Sequence, residues 1–229
     1  MVCGAGSRSM EWSPCASGRG WGRRECSRRC RISGLFVLER KKMRRVLWLI
    51  CGVLLSFHVN AVEVAGIGMA DSVKVAGADL QLNGTGVRTK FFFKVYVAGL
   101  YLVQKQSVAD TVIADGQVHR VALHMMRDMS SAKLLEAFNE AIRENHTPEE
   151  LSAMSVQLSM LTQIFNTVKE VKTGDLITLD YMPGAGTRIS LNAVTQGVIP
   201  GPTFNRALLK IWLGNKPVQE DLKKGLLGG

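Results

Sequence analysis

The hydrophobic patterning of residues 62–229 predicts an α+β fold, with helices packed on a largely antiparallel sheet. Three observations carry this. Alternating and β-branched stretches dominate up to Met126. Two stretches with a 3.6-residue apolar period follow. Two short strand-like runs and a final amphipathic helix close the chain.

Taken in order, Val73-Lys74-Val75 and Asp79-Leu80-Gln81-Leu82 alternate around Ala76-Gly77-Ala78, the pattern of a hairpin. Asn83-Gly84-Thr85-Gly86 reads as a turn. Lys90 to Val103 reads as one long strand and Val118 to Met126 as another. Ser130 is placed to cap a helix that buries Leu134, Leu135, Phe138, Ala141 and Ile142. Thr147 and Glu150 form a capping box around Pro148 at the first helical position. The helix they open carries the stripe Leu151, Met154, Leu158, Leu161, Phe165 and Val168. Leu176–Met182 and Arg188–Val194 flank Pro183-Gly184-Ala185-Gly186 as a second hairpin. Pro202 starts a helix with Phe204, Leu208, Ile211 and Trp212 inward, and Gly214 stops it.

The formal charge of +10 is unevenly spread. Residues 1–61 hold 12 Lys and Arg against 3 Asp and Glu, whereas residues 62–229 hold 17 against 16. The domain is thus almost neutral, and net charge gives no support to a nucleic-acid partner. All five cysteines (Cys3, Cys15, Cys26, Cys30 and Cys51) precede residue 62, so the domain has no thiol chemistry and no disulfide.

Met43-Arg44-Arg45, an apolar run from Val46 to Phe57, and Val59-Asn60-Ala61 follow the order of a cleavable signal peptide. The run is too short to span a bilayer comfortably, so no stable membrane anchor is expected after cleavage. The alternatives are an anchoring or a core helix. The expected organisation is a non-native or disordered extension over 1–42, a signal peptide over 43–61 ending near Ala61, and a domain over 62–229. The mature protein is then periplasmic or secreted.

Catalytic signatures are sparse. Gly84-Thr85-Gly86 lacks the third glycine and the following helix of a dinucleotide fingerprint. His119 and His124 have odd spacing on a strand and face opposite sides, so core or surface roles are expected, with no metal and no cofactor. The informative stretch runs from Leu82 to Leu102. Arg88 lies beside an aromatic strand, and a guanidinium on an apolar wall suits a carboxylate or an enolate because its planar fork donates two parallel hydrogen bonds. Tyr96 offers a third donor. A solvated arginine and an edge tyrosine are the plainer alternative.

Asn83-Gly84-Thr85-Gly86-Val87-Arg88, Lys90-Phe91, Gly99-Leu100-Tyr101-Leu102, Leu208 to Gly214 and Pro217-Val218-Gln219-Glu220-Asp221-Leu222-Lys223-Lys224-Gly225-Leu226 together resemble the chalcone isomerase superfamily, in its bacterial chalcone-isomerase-like branch. The resemblance implies an open-faced β-sandwich, a large antiparallel sheet covered on one face by helices, with the ligand cleft between the two layers. It implies that Arg88 polarises a ligand carbonyl, and that Tyr96 pairs with Arg88 as in fatty-acid-binding members. Helix-borne polar residues of the plant enzymes fall near Glu150 and Gln157, and a hydroxyl residue falls at Ile211. These departures disfavour closure of a flavanone ring. The implied function is binding of a fatty acid or similar small apolar acid or carbonyl ligand by Arg88 and Tyr96, with Phe92, Leu158 and Phe165 lining the pocket. The alternatives are an intramolecular lyase or isomerase of an enone with Arg88 as electrophile, and a non-catalytic structural module. Eight residues separate Arg88 from Tyr96, about 26 Å on a straight strand, so a bend near Thr89 is required.

Overall fold

The computed structural model describes residues 61–229. The extension expected over 1–42 and the signal peptide expected over 43–61, apart from its last residue, lie outside the described residues. The domain is built on a seven-stranded antiparallel sheet in the order β11-β10-β9-β6-β5-β4-β3. Its strands are β3 (Ser72–Val75), β4 (Ala78–Lys90), β5 (Phe93–Leu102), β6 (His119–Met125), β9 (Leu176–Met182), β10 (Gly186–Leu191) and β11 (Val194–Ile199). Two small hairpins, β1 (Ala61–Val64) with β2 (Ile67–Ala70) and β7 (Met129–Ser130) with β8 (Glu170–Val171), complete the strands. The helices are α1 (Ala109–Ala114), α2 (Ser131–Glu144), α3 (Pro148–Ala153), α4 (Ser155–Thr167), α5 (Pro202–Leu213) and α6 (Glu220–Leu226).

One face of the sheet presents Ala98, Leu100, Leu123, Leu179 and Ile189 to Leu134 and Phe138 of α2, Leu161 and Phe165 of α4, and Phe204 and Leu208 of α5. Burying each of the larger side chains stabilises the fold by about 1.5–3 kcal/mol. The other face is partly covered by the β1–β2 hairpin, whose Met69 is fully buried against Gly99, where a Cβ would collide with its terminal methyl.

The expected caps are present. The Ser130 side chain accepts from the Lys133 N–H, and Thr147 and Glu150 close their reciprocal box ahead of Pro148. The helix expected to run on from Pro148 breaks at Met154, whose φ and ψ of −109° and 17° leave the helical region. The Met154 side chain is buried, so the break serves packing.

Several expectations are corrected. Asn83-Gly84-Thr85-Gly86 is not a turn but the middle of the 13-residue strand β4. Asn83 is the extra residue of a β-bulge between Leu82 and Gly84. Its side-chain amide donates to the carbonyls of Gln106 (2.9 Å) and Leu226 (2.8 Å) and accepts from the Gln106 N–H (2.7 Å). The glycines serve close approach: a Cβ at Gly84 would collide with the Gly225 carbonyl and lie 2.7 Å from that of Leu226, and one at Gly86 would lie 2.7 Å from the Leu222 side chain. The strand expected over 90–103 is interrupted by a two-residue turn at Phe91-Phe92, with Phe91 at φ 56°. The stretch read to end at Val194 instead turns at Asn192-Ala193, with φ of 50° and 67°, and leads into β11. That turn lacks the glycine that usually marks it. The β1–β2 hairpin, α1, α6 and β11 were not legible in the pattern.

His119 is buried, with Nε2 3.1 Å from Asn205 Oδ1 and Nδ1 3.1 Å from the Gln117 carbonyl. On the opposite face, Arg120 donates to Asp180 through Nε (2.5 Å) and Nη2 (2.8 Å), and Arg188 Nη2 donates to it at 2.9 Å. Burial raises the Asp180 pKa, but the hydrogen bonds and charges of the two arginines outweigh it and hold the carboxyl below its ordinary value.

Gly84→Ala is expected to lower the stability to chemical denaturation by about 1–3 kcal/mol, because a backbone carbonyl of α6 must move. Asp180 has its pKa lowered by folding, so its contribution is present above the unfolded value of about 3.9 and is lost as pH falls through the folded value. Stability is therefore expected to fall with acid below about pH 4. Asp180→Asn is expected to weaken the protein at neutral pH and flatten that acid limb, as followed by urea midpoints against pH.

Candidate functional site

The hairpin turn brings Arg88 and Tyr96 together. They are directly opposed partners on β4 and β5, a geometry that sets their Cβ atoms about 4.5–5.5 Å apart. A bulge between Arg88 and Thr89 leaves Val95 as the extra residue, so Val95 and Tyr96 both join the helix-side core. The bend required near Thr89 is thus a bulge and a turn.

Tyr96 is 5% exposed, and its phenol oxygen accepts a hydrogen bond of 3.0 Å from Trp212 Nε1 on α5. Burial pushes the Tyr96 pKa above its ordinary value, against the pull of the Trp212 bond and the Arg88 charge. The phenol therefore keeps its proton across the physiological range. Among the described residues, no acceptor takes that proton.

Arg88 is half-buried. Its Nη1 donates to the Thr89 carbonyl at 2.9 Å and to Gln219 Oε1 at 3.4 Å. Gln219, immediately before α6, also accepts from the Thr89 N–H (2.9 Å) and donates through Nε2 to the Val87 carbonyl (3.2 Å). It bonds the edge of β4 as a backbone would, and so locates the arginine. Among the described residues, no carboxylate lies within ion-pair distance of Arg88. The half-buried guanidinium thus keeps unused donors and the phenol an unused proton, donor groups of the kind that an oxyanion or a carbonyl oxygen accepts from.

From Tyr96 an aromatic path runs inward. Trp212 meets Phe138 edge-on at 5.9 Å, and Phe138 meets Phe165 edge-on at 5.7 Å. Phe165 lines an apolar cavity of about 20 Å³ with Ile164, Val168, Ile177 and Ile189. Ligand pockets measure about 300–1,000 Å³, so the sheet–helix interface is closed here.

The other expected lining residues are not brought to this place. Phe92 is 96% exposed at the hairpin tip, because it is a turn residue and not a strand residue. Leu158 is half-buried and borders an open groove with Asn139, Ile142, Arg143 and Leu151. Glu150 is exposed in its capping box and Ile211 is buried in the core, so neither brings a polar group to Arg88. Gln219 and Trp212 are the partners that sequence reasoning missed. Gln219 lay in the second motif without an assigned role, and Trp212 was read only as an inward apolar residue. Among the described residues, no group of three His, Cys, Asp or Glu suits a metal ion.

A curled seven-stranded antiparallel sheet with one helix-covered face is the architecture of a chalcone-isomerase-type fold. The chain belongs to the chalcone isomerase-like family, whose model matches residues 61–228. It is similar in structure to a fatty-acid binding protein of Arabidopsis thaliana, with a TM-score of 0.57 and 14% sequence identity over 73% of this chain and 96% of that one. No curated protein matches the chain.

Gln219→Ala leaves two strand-edge backbone groups without their partner. It is expected to cost about 1–3 kcal/mol of stability, measured by thermal or urea unfolding, while Gln219→Glu restores only the acceptor half.

Proposed function

We propose that the protein binds a fatty acid or similar apolar carboxylate, with Arg88 and Tyr96 holding the head group. The observation that carries this reading is the half-buried guanidinium, without a carboxylate partner among the described residues, opposed across the hairpin to a protonated buried phenol. The fork of Arg88 takes one carboxylate oxygen or both, and the Tyr96 hydroxyl donates to the nearer one. Trp212 holds the phenol oxygen from behind, so that its proton points away from the indole. The tail follows the aromatic path toward Phe165. Because the cavity there is small, loading requires the helices to part from the sheet. The fatty-acid binding protein of similar fold supports the ligand class.

One observation favours a second reading, a structural module: the interface is closed and Gln219 already occupies one nitrogen of Arg88. Among the described residues, the exposed Glu150 and the buried Ile211 add no further polar group to Arg88 and Tyr96 for orienting an enone.

We further propose that the domain is exported. The apolar run ending at Phe57 lies just ahead of a domain whose family match and first strand both begin at residue 61, the last residue of the Val59-Asn60-Ala61 sequence. N-terminal sequencing of the protein purified from its host tests this, with a start near Val62 expected.

Native mass spectrometry of the purified protein is expected to show a bound long-chain acid. Arg88→Ala is expected to weaken binding about 10- to 100-fold and Tyr96→Phe about 3- to 10-fold, as read by displacement of a fluorescent fatty acid. An empty protein, with weak fatty-acid affinity unchanged in Arg88→Ala, favours the structural module. Turnover of a chalcone would restore the isomerase.

A further inference from the structure

The turn joining β4 to β5 puts three consecutive aromatic residues in solvent: Phe91, Phe92 and Phe93 are 85%, 96% and 55% exposed. Phe91 holds φ 56°, a conformation that a bulky side chain adopts at a cost and that asparagine or glycine would adopt readily. Neither folding nor the Arg88 site uses the outer two rings. Contiguous exposed apolar surface of this kind marks an interaction site.

The surroundings identify the occupant. Exposed Lys90 and Lys94 flank the three rings in sequence. Arg127, on the connection after β6, lies over the Phe93 ring with its guanidinium carbon 4.2 Å from the centroid. Lys90, Arg127 and Lys133 border an open cavity of about 330 Å³ with Phe91 and Phe93. The acid on that border is Asp128, which already accepts from the Thr173 N–H (2.8 Å) and hydroxyl (2.9 Å). Aromatic residues at an extreme tip with cations set behind them match the layering of an anionic bilayer, whose acyl boundary takes rings and whose headgroups take cations.

We infer that the β4–β5 hairpin tip docks on an anionic phospholipid surface, with Phe91 and Phe92 entering the acyl boundary and Lys90, Lys94, Arg127 and Lys133 facing the headgroups. Near neutrality of the domain as a whole does not oppose this, because surface attraction decays within a Debye length and is set by charges at the contact. Each cation strengthens association about fivefold. This stands apart from the Arg88–Tyr96 reading, although the tip lies only two residue pairs beyond that pair on the same hairpin.

Residues 1–61 carry +9 themselves, so the readout is placed at the tip. Phe92→Trp in the full chain is compared with the parent chain on adding vesicles of phosphatidylcholine alone or with 30% phosphatidylglycerol (~30% is a typical anionic fraction). The expected result is a blue shift of the added indole on anionic vesicles and its quenching by brominated acyl chains. Lys90→Glu/Lys94→Glu in the Phe92→Trp background is expected to weaken this more than tenfold, and raised salt to weaken it likewise. Phe91→Ser/Phe92→Ser, at exposed positions, is expected to fold normally. An indole that stays in water on anionic vesicles overturns the inference. So does a lipid-free dimer that Phe91→Ser/Phe92→Ser dissolves, since a second copy would then be the occupant.

Discussion

The contact between β4 and α6 decides most of what surrounds Arg88. Two backbones approach within van der Waals distance because Gly84 and Gly86 carry no Cβ, and Asn83 ties them by donating to the Leu226 carbonyl. With α6 seated, Gln219 sits just ahead of it and bonds the strand edge at Val87 and Thr89. The arginine is held by the same residue. Fold and site thus share one constraint, a helix resting on bare backbone.

A second consequence concerns Tyr96. The bulge at Val95 rotates the phenol into the helix-side core, where the indole of Trp212 meets it. The phenol then stays protonated because charging it there costs solvation that the neighbouring arginine only partly returns. A charged fork at the boundary and a neutral donor in the interior complement each other.

The ionic layer on the opposite face has a different character. Asp180 is enclosed by two guanidinium groups and has no unused partner pointing at a cavity. Its chemistry is satisfied within the sheet, and it reads as structure. Arg88 differs because no carboxylate lies opposite it among the described residues.

Hydrophobic period and cap chemistry are local properties, so α2, the start of α3, the β9–β10 hairpin and the boundaries of α5 were legible directly from residues such as Ser130, Thr147, Pro183 and Gly214. The arginine and tyrosine were legible as chemical types, and the family motif as a pattern. Tertiary structure decided what their neighbourhood is. Asn-Gly-Thr-Gly looks like a turn to any local rule, and only the arrival of α6 shows that its glycines make room for another backbone. Phe91-Phe92 looks like strand interior, and only the register of β5 on β4 shows that it is a tip. The pairing of Arg88 with Tyr96, and of both with Gln219 and Trp212, depends on strand register and long-range docking. No local preference of those side chains encodes it.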